Sequence, residues 1–179
     1  AVTVNADNYS ISGTAEANAL VKIYNGGSVV GSQQLTGGET AYSISVSLAQ
    51  NTANNFTAKA TDFAGNEGGA TIVSTITEDS IAPVVGAGAD RGNVAGLFNQ
   101  NDASATDASG MTYAWTKVDG LGVVTFDAVD ELKPDITASL DGTYEVRLTV
   151  TDAASNSASD TFTFTRDTTA PTGTSVSIN

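Results

Sequence analysis

The sequence predicts an all-β chain of two tandem antiparallel β-sandwiches. Apolar residues recur at a period of two in many short segments. Tyr42, Ile44, Val46 and Leu48, for example, alternate with Ser43, Ser45 and Ser47, as in a strand with one buried face. Turn signals separate such segments at roughly the 8–12-residue spacing of sandwiches. Two motifs also occur twice. Thr61-Asp62-x-Ala64-x-Asn66 is matched by Thr151-Asp152-x-Ala154-x-Asn156, and Asp79-Ser80-x-Ala82-Pro83 by Asp167-Thr168-x-Ala170-Pro171. Repetition on this scale marks a tandem array.

In the first half, residues 1–5 alternate weakly and read as a short strand. Tyr9–Gly13 is a strand, followed by a loop over Thr14–Asn18 carrying Glu16. Leu20–Tyr24 leads into Asn25-Gly26-Gly27, a hairpin signal, and then Val29–Leu35. Gly37-Gly38 turns the chain into Tyr42–Leu48, and Asn51–Asn55 turns it again into Phe56–Thr61. Asp62–Gly69 is a loop, and Ala70–Thr77 the last strand. The second half repeats the plan. Val84–Ala87 and Val94–Phe98 are weak strands, and Gln100–Gly110 is a polar loop. Thr112–Val118 carries Tyr113 and Trp115 on one face. Val123–Phe126, Asp135–Ala138, Tyr144–Val150 and a strand holding Phe162 and Phe164 follow. Domains are expected at 1–80 and 81–167, each with about seven strands, with 168–179 opening a further repeat.

The chain has 179 residues, 7 basic and 20 acidic, for a net charge of −13. That balance disfavours nucleic acid and anionic membranes, and favours cation binding. There is no Cys and no His, which excludes disulfides, thiolate metal sites and a Ser-His-Asp triad. No apolar run approaches the roughly 18 residues of a membrane span.

The acids cluster at the domain ends. If the last strand of each half runs down, the Thr-Asp-x-Ala-x-Asn loop before it lies at the top, where the chain enters. Glu16 then falls near Asp62, and Asp102 and Asp107 near Asp152. The linker carrying Glu78 and Asp79 enters at that same top. Converging carboxylates repel unless a hard cation joins them, and Ca²⁺ takes 6–8 oxygen ligands. Asp79, Asp107 and Asp152 are expected as core ligands, with Asp102 or Glu78 as additions. Turn chemistry is the plainer account of any one of these residues, since Asp and Asn populate turns.

These residues carry a resemblance. Ser12-Gly13-Thr14-Ala15-Glu16-Ala17-Asn18-Ala19, Thr61-Asp62-Phe63-Ala64-Gly65-Asn66 and the Asp79 and Asp167 linkers resemble the bacterial Ig-like repeats of giant surface adhesins of the biofilm-associated and RTX-adhesin type. The second half is similar to PKD-type Ig-like domains. The match runs through Ala103–Gly110, Tyr113-Ala114-Trp115 and Gly142–Asp152, although Trp115-Thr116-Lys117-Val118-Asp119-Gly120 departs from the usual Trp-x-Phe-Gly-Asp-Gly. The resemblance implies an extended, secreted rod on the bacterial cell surface, with calcium at its domain junctions and neighbouring Ig-like domains as partners. Glu16, Asp62, Asp79 and Asp167 match acidic junction positions, and Asp107 and Asp152 match ligands of calcium-binding PKD domains.

The expected role is therefore a non-catalytic extender of an adhesin, supporting adhesion or biofilm formation. The alternative is a glycan-binding accessory module of a secreted polysaccharide-active protein. It needs exposed aromatics; Trp115 shares strand parity with Tyr113 and reads as core, leaving Tyr9 and Tyr24. An enzyme would need the Asp127, Asp130 and Glu131 group as paired carboxylates, but those residues read as a solvated loop. Thr172–Asn179 reads as the opening strand of another repeat. The first domain is expected to lack part of its own first strand, leaving an edge that the tail of another molecule fills. That would bring Asp167 to Glu16 and Asp62 around a second calcium ion.

Overall fold

The structure, a computed structural model, describes residues 1–173. It is all-β and divides into two compact units. One comprises Ala1–Ile81 with Ala153–Asn156, the other Ala82–Asp152 with the chain from Ser157 onward.

The first unit contains β1 (Val2–Val4), β2 (Asn8–Thr14), β3 (Leu20–Asn25), β4 (Ser28–Gln34), β5 (Ala41–Ser47), β6 (Thr52–Asn54), β7 (Phe56–Thr61), β8 (Thr71–Ile72) and β9 (Ile76–Glu78). The sheets run β4-β3-β7-β8, β2-β5 and β1-β9-β6. The period-two pattern sets which side chains point inward. Ile44 and Val46 of β5, Val21 and Ile23 of β3, and Phe56 of β7 are buried together with Ile11, Leu35 and Ile76. Each contributes roughly 1.5–3 kcal/mol by leaving water. Gly26 and Gly27 both have positive φ, 55° and 88°, which the two-residue β3–β4 hairpin requires.

Two readings of this half need correction. Asn51–Asn55, expected as a turn, contains β6, which pairs with β9. The buried Asn54 side chain accepts from the Ala49 amide at 2.7 Å and donates to the Ala49 and Thr52 carbonyls, so a polar residue can sit inside. Ala70–Thr77 is not one strand. It splits into β8, which pairs with β7, and β9, which crosses to β1 and β6.

The second unit contains β10 (Val84–Gly86), β11 (Arg91–Val94), β12 (Phe98–Asn99), β13 (Ser104–Thr106), β14 (Met111–Asp119), β15 (Val124–Phe126), β16 (Asp135–Ala138), β17 (Gly142–Asp152) and β18 (Ser157–Arg166). Its sheets run β11-β18-β17-β14, β12-β16-β15 and β10-β13. Tyr144, Val146, Leu148 and Val150 of β17 are fully buried. Trp115 stacks on Phe126 at 6.1 Å and meets Phe162 edge-on at 6.0 Å, its indole N–H donating to the Glu131 carbonyl. Gly120, at φ 111°, lies where a Cβ would come within 2.7 Å of the Thr143 carbonyl oxygen. The polar stretch Gln100–Gly110, expected as loop, includes β13. Val94–Phe98, expected as one strand, is divided between the end of β11 and the start of β12.

Candidate functional site

In the first unit, Glu16 lies exposed on the loop after β2, and its carbonyl closes a turn with the Ala19 amide at 3.1 Å. Asp62, at the foot of β7, lines one depression with Glu16, Asn66 and Glu67. Both of its carboxylate oxygens are engaged by Asn66. The backbone amide donates to Oδ1 and the side-chain amide to Oδ2, each at 2.8 Å. The Asn66 side chain first, and its backbone amide second, hold the Asp62 carboxyl below the ordinary range. Glu67 is paired with Lys59 at 2.6 Å. Glu16 and Asp62 thus share a depression, but among the described residues they join no third acid close enough to share an ion.

Glu78 is fully buried in β9 between β1 and β6. Its Oε2 accepts the Asn51 amide at 2.6 Å, while Oε1 has no hydrogen-bond partner. Asp79 follows, also buried. Its amide donates to the Val4 carbonyl at 2.9 Å, and its Oδ1 accepts the Ile81 amide at 3.3 Å. Asn51 fixes this stretch from the side, its Oδ1 accepting from both the amide and the hydroxyl of Ser80. The loop Ala153–Asn156, which belongs to this unit, completes the frame. Asn156 Nδ2 donates to the carbonyls of Asp79 at 2.9 Å and Ile81 at 3.3 Å, and Asn5 Nδ2 donates to Asn156 Oδ1.

In the second unit, Asp152 ends β17 as the next inward residue after Val150 and is 7% exposed. Asp107 follows β13. Its Oδ1 accepts both the amide of Ser109 at 2.8 Å and its hydroxyl at 2.7 Å, and these bonds hold its carboxyl below the ordinary range. Asp107 and Asp152 bring carboxylate oxygens within 4.8 Å of each other. Two acids from distant parts of the sequence meet because β13 leads to one and β17 ends on the other.

Asp102, expected beside them, is instead ion-paired with Arg91 at 3.3 Å. The spacing of acids along the sequence concealed this, because Arg91 reaches it from β11, where the buried Gln100 also steers the guanidinium. Asp167 takes the Thr169 amide on Oδ1 and Asn93 on Oδ2, and joins no group of three acids among the described residues. In both linkers the Asp thus caps the amide two residues on, Ile81 or Thr169, the turn that Asp forms with its own backbone.

Two residues that hold the linkers, Asn156 and Asp141, do not stand out in the sequence. Asn156 was visible as part of a repeated motif, but nothing there indicated that its side chain grips Asp79 and Ile81. Asp141 precedes Gly142, and an Asp-Gly pair signals a turn without naming a partner. Asp141 accepts from Arg166, from the Thr168 amide and hydroxyl, and from the Thr169 hydroxyl, so it clamps the second linker. Trp115 is 3% exposed and Tyr9 and Tyr24 are half-buried, so none of the three forms an open aromatic platform. Asp127 caps its own loop by accepting the amides of Ala128 and Asp135.

Residues 1–77 match the family model described as a bacterial Ig domain, and residues 98–165 match the model described as a K319L-like PKD domain. This is the arrangement expected from the sequence. No curated protein matches the chain. Solved structures similar to it include the Clostridium thermocellum CbhA fibronectin(III)-like modules, at 15% identity and TM-score 0.49, covering 92% of this chain and 88% of that one. The PKD domain from KIAA 1837 protein aligns at 19% identity and TM-score 0.42 over 50% of this chain and 92% of that one. A biofilm associated protein BSP domain aligns at 19% identity and TM-score 0.32, over 95% of this chain and 29% of that one. The two family matches fit an extracellular structural module.

Proposed function

Because a bacterial Ig domain is followed here by a PKD-like domain, we propose that the chain is a calcium-stiffened extender of a bacterial cell-surface adhesin. It carries no catalytic role in this reading and projects distal binding domains from the cell. The observation that carries it is the approach of the Asp107 and Asp152 carboxylates to within 4.8 Å. Two ionised carboxylates this close repel, and a hard divalent cation between them would offset that repulsion. The donors are hard oxygens, which suit Ca²⁺ rather than a thiolate- or imidazole-seeking metal. Asp79 is the third ligand. Its carbonyl is held by Asn156, four residues beyond Asp152 in the chain. Glu78 stands next to it with one buried oxygen unengaged. The bound ion would restrain the linker and so limit flexing between neighbouring domains.

Calorimetric titration with Ca²⁺ tests this. Extracellular modules bind with Kd on the order of 10⁻⁴–10⁻³ M, and at ten times Kd the site stabilises the fold by about 1.4 kcal/mol. Excess EDTA should then lower the Tm of the calcium-bearing unit by roughly 6–11 °C. No binding heat together with an unchanged melt would refute the calcium reading.

A further inference from the structure

We infer that the outer edge of β2 is a receptor for a donated strand, and that its occupant is segment Thr172–Asn179 of a second copy of this chain. The inference goes beyond the calcium proposal and needs no cation.

Among the described residues β2 has one partner, β5. Leu48 donates to the Asp7 carbonyl and Ala15 to the Thr40 carbonyl, and both pairs continue the β2–β5 register. In an antiparallel ladder the bonded pairs alternate. Residues 9, 11 and 13 therefore bond toward β5, and the amides and carbonyls of Asn8, Ser10, Ser12 and Thr14 point to the outer edge. Ser10 and Ser12 line a groove there with Tyr9, Ile11, Tyr42, Ile72, Val73 and Ile76. Ile72 is 84% exposed. An edge of unpaired backbone groups beside an apolar groove is a template for a further strand.

The second unit indicates what belongs in such a slot. There, β10 begins directly after Pro83 of the first Asp-Ser-x-Ala-Pro linker and pairs antiparallel with β13, the strand that leads to Asp107. In the first unit β2 holds the place of β13, since it leads to the loop of Glu16, yet no strand lies on its outer side among the described residues. The second copy of the linker ends at Pro171 and is followed by Thr-Gly-Thr-Ser-Val-Ser-Ile-Asn. Residues 174–179 lie outside the described residues. Their sequence alternates Val176 and Ile178 with Ser175 and Ser177, the period of a strand with one apolar face. Paired on β2, such a strand would bond Ser10 and Ser12 and lay Val176 and Ile178 over the groove.

The test compares the full chain with a full-chain double variant, Val176→Asp and Ile178→Asp, by sedimentation velocity over a range of concentrations. The wild-type chain should associate with rising concentration and the double variant should not. A labelled Thr172–Asn179 peptide should bind the double variant, whose receptor edge is intact, and perturb the Ser10 and Ser12 amide signals. A scrambled peptide should not. Ser12→Pro removes one outward N–H and should weaken peptide binding about tenfold or more. If that variant fails to fold, the paired peptides still decide the matter. Identical sedimentation of wild type and double variant, or equal binding of the two peptides, overturns the proposal. So does peptide binding that leaves the Ser10 and Ser12 signals unmoved.

Discussion

Asn156 Nδ2 donates to the carbonyl of Asp79 at 2.9 Å. The last residue of one repeated motif therefore holds the first residue of the other. The same amide reaches the Ile81 carbonyl at 3.3 Å, so one side chain spans the turn that Asp79 caps. Replacing Asn156 by Ala removes both bonds and takes the donor from the buried Asp79 carbonyl. The expected cost is about 1–3 kcal/mol, read as a lower midpoint in urea at unchanged slope. Calcium affinity should fall with it, because Asp79 loses its anchor. A variant with wild-type stability would contradict this role.

Asp107→Asn and Asp152→Asn each remove one negative charge from the pair whose oxygens lie within 4.8 Å. Calcium-dependent stabilisation should disappear in either variant, so that melts with calcium and with EDTA coincide. In the absence of calcium Asp107→Asn should be no more stable than the wild type, because the Ser109 amide and hydroxyl favour its ionised carboxylate. Retained EDTA sensitivity in both would place any calcium elsewhere.

Asp141 gives a pH dependence of known sign. Hydrogen bonds from the Thr168 amide, then from the Thr168 and Thr169 hydroxyls, with the nearby Arg166 charge, hold its carboxyl below the ordinary value, which is about 3.9. A carboxylate lowered in the folded state contributes above the unfolded value, and its contribution is lost as pH falls through the folded one. The clamp on the second linker should persist at neutral pH and open only below about pH 4. The Thr168 amide shift, followed by NMR, should move with that titration and should lose it in Asp141→Asn. A transition at or above the ordinary carboxylate value would contradict the clamp.

Phe162 is 1% exposed and meets Trp115 and Phe98 edge-on and Phe164 at a tilt. Phe162→Ala should destabilise the second unit by about 3–5 kcal/mol. Trp115 fluorescence should report this unfolding at lower denaturant, while the first unit, which has no tryptophan, keeps its own transition by circular dichroism.

Most of the fold was legible because period-two alternation is a local signal. Ile44 and Val46, or Val146 and Leu148, reveal their strand without reference to the rest of the chain. β6 and β13 were not legible, since Thr52–Asn54 and Ser104–Thr106 are polar and become strands only through partners far along the sequence, β9 and β10. The acids divide in the same way. Asp107 and Asp152 could be brought together by following strand direction, which needs topology alone. The pairing of Asp102 with Arg91 depends on a side chain reaching across from β11, and the clamp at Asp141 depends on the path of the chain after Arg166. Neither leaves a periodic trace. Asn156 fills the motif position of Asn66, and nothing in the motif announces that its side chain reaches Asp79.

The parallel pairing of β1 with β9 sets Val2 opposite Ile76, Thr3 opposite Thr77 and Val4 opposite Glu78. Tension applied to the chain ahead of β1 and beyond β9 draws these strands past each other along their own length. Bonds lying across that direction take the load together, as in shear, instead of opening singly as in a zipper. In the second unit β11 and β18 are likewise parallel, from Arg91 opposite Phe164 to Val94 opposite Arg166. A module that has to hold under drag would draw its rupture strength from these short ladders, and pulled at its two ends each unit should yield in one abrupt step.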